Sequence, residues 1–279
     1  MSTDDKLIIN AAITGCVLTT RQAPALPVTI EQITETAVRV RDAGASIIHL
    51  HARNADQSPC FDESVYCELV ESVRAVCDDI IICVSLSGRH VSDVNVRAAA
   101  LASHPEMASL TVGSMNFATQ PSINSPDTIK GLAERIYAAG AIPELEVFEA
   151  GFVNFAGYLA RKDVLRPPYY FNIILGSLGS APLDLIGLGH MVSMLPVGSI
   201  WSCGGLGQYQ LPANVMAIAA GGHVRVGLED NIHYDSSKRD ATDNEQLIAR
   251  VARIGREMGR EPATPAEARE MIGLGVPVA

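Results

Sequence analysis

Two histidines stand one residue apart in "SIIHLHARN" (46–54), where His49 and His51 close an apolar, β-branched run. In an extended strand residues i and i+2 share a face, so both imidazoles project the same way. Two imidazoles on one face suit a divalent metal, Zn²⁺ above others. The structural alternative is one core histidine beside a surface one, and an isolated His-x-His does not separate the two. A second cluster adds weight. "HVRVGLEDN" (223–231) ends another apolar run with Arg225, Glu229, Asp230 and Asn231 crowded together. Charges at the end of a buried strand are costly unless they are paired or functional. Two histidines plus a carboxylate from Glu229 or Asp230 would leave metal positions open for water or substrate. The bland counterpart is an Arg–carboxylate pair that helps close the fold.

The elements that must position these residues alternate along the chain. Strand-like runs cover 7–14, 46–51, 80–86, 107–113, 141–149, 169–175, 198–205 and 223–230. Helical patterns fall between and after them, at 29–44 (Thr29 as cap, Gly44 as stop), 62–77, 92–103, 125–140, about 151–162, 181–195, 210–220 and 243–259. The strands are rich in Val, Ile and Leu, as expected of a parallel sheet buried on both faces. Eight such units in 279 residues predict an α/β fold, a (β/α)8 TIM barrel, as one domain over 1–279. The carboxyl ends of barrel strands carry active sites. The polar residues there are Thr14, Ser85, Ser87, Ser109, Thr111, Glu144 and Glu146. Single Ser and Thr residues commonly serve turns and caps. Glu146 is the exception, because it alternates with Leu145 and Val147 and so takes the opposite face from them. "GLGH" and "CGGLGQ" lack the spacing of a dinucleotide-binding loop after a first strand.

Composition limits the partners. The formal net charge of −10 argues against nucleic acid and anionic membranes. No long uninterrupted apolar stretch predicts a membrane span, and acids rather than bases precede the first apolar run, so no signal peptide is read. The six cysteines form no CxxC pair and are expected to be reduced, buried thiols of a cytoplasmic protein.

"AAITG" (11–15), "IIHLHARN" (47–54), "HPEMASLTVGSMNF" (104–117), "PELEVFEAG" (143–151) and "GGHVRVGLEDNI" (221–232) together resemble, in order, the motifs of the β-keto acid cleavage enzymes. The resemblance implies a Zn²⁺-binding barrel, a homotetramer, and a reaction that turns a β-keto acid and acetyl-CoA into acetoacetate and a new acyl-CoA. It implies His49, His51 and Glu229 as metal ligands, Asp230 with Arg225 as the base dyad, and Ser85 as a hydrogen-bond donor to a developing oxyanion. Ser85, Ser109 and Glu146 match positions that line the substrate site, and Thr14 at the end of strand 1 is a further substrate-binding candidate. Val17 stands where a family member acting on an amino-bearing keto acid has an acid, which implies a neutral tail on the substrate here. Arg89, His90 and Arg53 are candidates for an anion such as a distal carboxylate or a CoA phosphate, with solvent exposure as the alternative, and His233 has no assigned role. Two other readings stay open at this level: a metal-dependent hydrolase on the same fold, and a barrel that binds a small molecule without chemistry. The hydrolase would need further histidines on strands 5 and 6, where "PELEVFE" and "YYFNIIL" have none.

Overall fold

A computed structural model describes residues 5–238 and 242–275, so the expected domain of 1–279 extends past the described residues. The strands are β1 (Ile9–Ala12), β2 (Ile47–Leu50), β3 (Ile81–Val84), β4 (Met107–Thr111), β5 (Met115–Asn116), β6 (Pro121–Ser122), β7 (Ile142–Val147), β8 (Tyr170–Leu175), β9 (Ile200–Gly205) and β10 (His223–Val226). The helices are α1 (Ile30–Ala43), α2 (Glu63–Val76), α3 (Val94–Ala98), α4 (Pro126–Ala138), α5 (Ala150–Arg161), α6 (Leu185–Ser193), α7 (Gln210–Ala219), α8 (Asn244–Glu257) and α9 (Pro265–Ile272). Eight of the strands close a parallel barrel in the order β1-β10-β9-β8-β7-β4-β3-β2. This is the expected (β/α)8 architecture.

Local signals account for the frame. Thr29 caps α1 in a reciprocal box with Gln32, and Gly44 ends it in the left-handed conformation that costs glycine least. Alternation then sorts each strand into two faces. Leu145 and Val147 of β7 join the apolar layer between sheet and helices, with Ile9, Ile48, Ile82 and Leu110 from other strands. The opposite face points inward. Its lower level is apolar: Ile8, Ile47, Ile81, Met107 and Tyr170 form a separate cluster, with Ile142 and Ile200 packed on it.

Three features lie outside the eight-unit pattern. Helix α9 seals the lower end of the barrel, where Ala268 and Ile272 complete the inner apolar cluster. Arg269 holds it in place by pairing with Glu106 at 2.6 Å and donating to the carbonyl of Asp79 at 2.6 Å. Residues predicted as one helix over 92–103 split into α3 and a 3₁₀ segment, Ala99–Ser103. The segment after β4 folds back as the small hairpin β5–β6. Among the described residues, no helix is long and apolar enough to cross a membrane. All six cysteines are free. Cys16 and Cys67 are partly exposed, so the expectation of burial holds for the other four.

Candidate active site

One level above the apolar cluster, every barrel strand turns a polar side chain or a thiol inward. They are Asn10, His49, Cys83, Ser109, Glu144, Asn172, Ser202 and Arg225, all buried. A barrel interior is ordinarily filled by branched apolar side chains. Polar groups are tolerated there only when they satisfy one another. Glu144 is the hub. Its Oε1 accepts from Asn10 Nδ2 at 2.6 Å and Asn172 Nδ2 at 3.0 Å, and its Oε2 meets His49 Nδ1 at 2.9 Å and the Cys83 thiol at 3.3 Å. Burial alone would raise Glu144, but His49 and Arg225, with these hydrogen bonds, bring it down to about 2. An ionised Glu144 keeps the proton on His49 Nδ1 and turns the Nε2 lone pair up the barrel.

There His49 Nε2 lies 3.3 Å from His51 Nε2, and His51 Nε2 lies 3.3 Å from Glu229 Oε1. Glu229 reaches this point through two close backbone passages. Its own N–H bonds the carbonyl of Ala12 at 3.1 Å. A Cβ at Gly227 would sit 2.0 Å from that same carbonyl oxygen, and one at Gly15, whose φ is +67°, would sit 2.7 Å from Glu229 Cγ. Only glycine lets the first and last strands and the Glu229 turn come this near.

Burial alone would raise Glu229. Arg225, His51 and His49 outweigh it and hold the carboxyl well below the usual range. Burial pushes His51 down, which favours the neutral imidazole. Burial would lower His49 too, but Glu144 and Glu229 turn its shift upward. Two nitrogens and a carboxylate oxygen, all within 4.8 Å of one another, are a donor set that fits a borderline divalent cation. The second oxygen of Glu229 is buried with no hydrogen-bond partner among the described residues, as expected of an atom made for a ligand. A rival set of His49, Cys83 and Glu144 fits less well. Burial, with Glu144 and Glu146 adding, pushes the Cys83 thiol far up, and Glu144 is already fully engaged.

Arg225 organises the acids on the other side. Its Nε donates to Asp230 Oδ2 at 2.8 Å, its Nη2 to Glu229 Oε1 at 2.8 Å, and its Nη1 lies 3.5 Å from Glu146 Oε1. Glu146 also accepts from Thr111 Oγ1 at 2.6 Å. Burial raises both Asp230 and Glu146 in spite of this guanidinium. Neighbouring carboxyls pushed in opposite directions are the arrangement that supports acid–base chemistry at neutral pH.

A cavity of about 450 Å³ opens over this centre. His51, Ser85, Glu146, Arg225, Glu229, Asp230, Val17 and Arg89 line it. Thr14 and Ser109 stand behind the wall. Thr14 is wholly buried, and the Ser109 hydroxyl accepts from the Leu86 amide at 3.1 Å, bracing the loop that carries Ser85. Arg53 turns to backbone and lines neither cavity over the centre. Its guanidinium is spent on the carbonyls of Gly15 at 2.7 Å, Leu18 at 2.6 Å and Gln57 at 2.8 Å, which fixes the loop bearing Val17. His90 is exposed, and His233 lines a second cavity beside the first. Sequence reasoning did not single out Glu144, Asn10, Asn172 or Cys83. Glu144 was open to discovery, since it lies two residues from Glu146 and shares its face.

The family model for β-keto acid cleavage enzymes matches residues 6–274. The 3-keto-5-aminohexanoate cleavage enzyme of Fusobacterium nucleatum is 38% identical over 97% of this chain and 98% of its own. A 3-oxoadipate:acetyl-CoA acetyltransferase of Cupriavidus necator is 33% identical over 96% of this chain and 94% of its own. Among solved structures, apo ObcA superposes with a TM-score of 0.80 at 24% identity, over 91% of this chain and 66% of that one, a likeness of fold. The inward polar level, the cavity and these matches agree: the chain belongs to the β-keto acid cleavage enzyme family.

Proposed function

We propose that the chain, working as a single barrel domain in a homotetramer of the cytoplasm, is a zinc enzyme. It would convert a β-keto acid and acetyl-CoA to acetoacetate and a new acyl-CoA. The observation that carries this is the convergence of His49, His51 and Glu229 on one point beside the Arg225–Asp230 pair, under one cavity. When held by His49, His51 and Glu229, Zn²⁺ would supply Lewis acidity for the keto oxygen of the substrate.

The remaining work falls to the chain. Asp230, raised by burial, takes a proton from C2 of the keto acid, and Arg225 holds its carboxylate in line. The C2 carbanion attacks the acetyl-CoA carbonyl. The C–S bond breaks, and Asp230 returns the proton to the CoA thiolate. The thiol, deprotonated again by Asp230, attacks the original keto carbon. The C2–C3 bond then breaks, the electron pair on C2 takes the proton from Asp230, and acetoacetate and the new thioester leave. Ser85, which lines the cavity wall, donates to the developing oxyanion.

Val17 lines the cavity with 46% of its surface exposed. An ammonium set against it would lose hydration without gaining a partner. A neutral tail follows. The relative from Fusobacterium nucleatum is named for an amino-bearing keto acid, and Val17 separates this chain from that chemistry. The hydrolase reading gains no support, because the inward positions of β7 and β8 hold Glu144, Glu146 and Asn172. The test is zinc-loaded protein with acetyl-labelled acetyl-CoA and a panel of β-keto acids with neutral, cationic and anionic tails, read by mass spectrometry. Labelled acetoacetate with a new acyl-CoA, best for a neutral tail, is expected. A preference for the cationic tail would remove the Val17 argument, and no acetoacetate from any acid would remove the reaction.

A further inference from the structure

The cavity over the centre continues into a second one of about 280 Å³. Val17, Arg89, Gly207, Glu229 and Asp230 belong to both, so they mark the junction. Lys238 lines the outer chamber and not the inner cavity. Arg89 is the unusual residue here. Among the described residues, the other arginine on the inner cavity wall is Arg225, which is committed to Glu229, Asp230 and Glu146. Among the described residues, Arg89 forms no ion pair.

Yet Arg89 is held rather than free. Its guanidinium carbon lies 3.6 Å from the centroid of the Phe117 ring on the β5–β6 hairpin. Gln120 of that hairpin donates to the Arg89 carbonyl at 3.1 Å, and the Ser87 hydroxyl accepts from its amide at 3.3 Å. Beneath, buried Arg97 ties the same two loops together through the Leu86 carbonyl at 2.8 Å and Asn124 Oδ1 at 2.9 Å. A stacked guanidinium keeps its edge free for bidentate contact with phosphate or carboxylate.

We infer that Arg89 is the anion-recognition residue of the acyl donor, binding a phosphate of the CoA diphosphate while the pantetheine arm carries the acetyl group down into the inner cavity. The inference rests on the proposed reaction with a neutral-tailed keto acid, which has no second charge for Arg89 to meet. It also answers an electrostatic difficulty. CoA is a polyanion and the chain carries a formal net charge of −10, so a local cation must hold it. Lys238 adds a second cation to the outer wall, which Asp235 also lines.

The test uses the full-length, zinc-loaded protein, with acetyl-CoA compared against S-acetylpantetheine, which lacks the diphosphate and nucleotide. Arg89→Gln is expected to raise KM for acetyl-CoA about tenfold to a hundredfold, the scale of a lost charge-assisted contact, with kcat nearly unchanged. The penalty should vanish with S-acetylpantetheine. Calorimetry with CoA alone should show the same loss of affinity. Lys238→Gln, at an exposed position, should raise the same KM severalfold and serves if Arg89→Gln does not fold. A raised KM for a keto acid with a distal carboxylate, with acetyl-CoA unaffected, would overturn the inference and the neutral tail together. Equal CoA binding by wild type and variants would overturn the inference alone. No CoA binding by the wild type would overturn the proposed function itself.

Discussion

The same eight strands build two interiors. At the lower level Ile8, Ile47, Ile81, Met107 and Tyr170 meet α9 in an apolar plug. Two residues further along each strand the level is polar, from Asn10 and His49 round to Arg225. The first is held by the hydrophobic effect and close packing, tolerant of neighbours but not of voids. The second is held by directional bonds, and each group there depends on the next. The difference teaches that stability and chemistry are separated by about one strand-repeat inside one barrel. Substitutions at the two levels should therefore fail in different ways.

The largest effect is expected at the rim of the polar level. Asp230→Asn should lower kcat about 10²- to 10⁴-fold, with melting temperature and zinc content little changed. Steady-state kinetics beside thermal unfolding check this. Full turnover would remove Asp230 as the base. At the apolar level, Ile272→Ala in α9 should destabilise the fold by about 2–5 kcal/mol, measured by denaturant titration, and leave kcat per folded molecule intact. If turnover fell with stability preserved, the two levels would not be separable.

Glu144→Gln probes the link from the polar level to the metal. It leaves the shape but removes the charge that fixes the His49 tautomer. Zinc affinity in a chelator competition should fall about 10- to 100-fold. The smallest effect at neutral pH is expected at the base of β10. His223 Nδ1 accepts from the Ile8 amide at 3.1 Å, and burial together with Arg260 lowers its pKa to about 3. An unfolded histidine titrates near about 6.5. The neutral ring therefore contributes stability that is complete above that pH and is lost as pH falls toward 3. His223→Gln keeps an acceptor and should flatten this acid limb of the stability curve. An unchanged limb would mean that other groups set it.

Much of this was legible in sequence. The strand periods gave the barrel, and His49, His51, Glu229, Asp230 and Arg225 were readable as a cluster because each ends an apolar run. Helix α9 was written there too: Thr264 and Glu267 form a capping box, Pro265 opens the helix and Gly273 ends it. A reading that stops at eight units passes over it. The hairpin carrying Phe117 was not legible, since strands of two residues leave no period to detect. That Thr14 and Ser109 stand behind the cavity wall was not legible for a related reason. Inward direction follows from alternation, but reaching a cavity depends on barrel tilt and on which loop lies above.

The most direct test of the central claim is to strip the protein with a chelator, titrate zinc back, and follow labelled acetoacetate formation from acetyl-CoA and a neutral β-keto acid at each step. The account predicts negligible turnover in the stripped protein and full recovery at one zinc per chain, with Asp230→Asn taking up zinc equally but remaining inactive. Undiminished turnover after metal removal would contradict it.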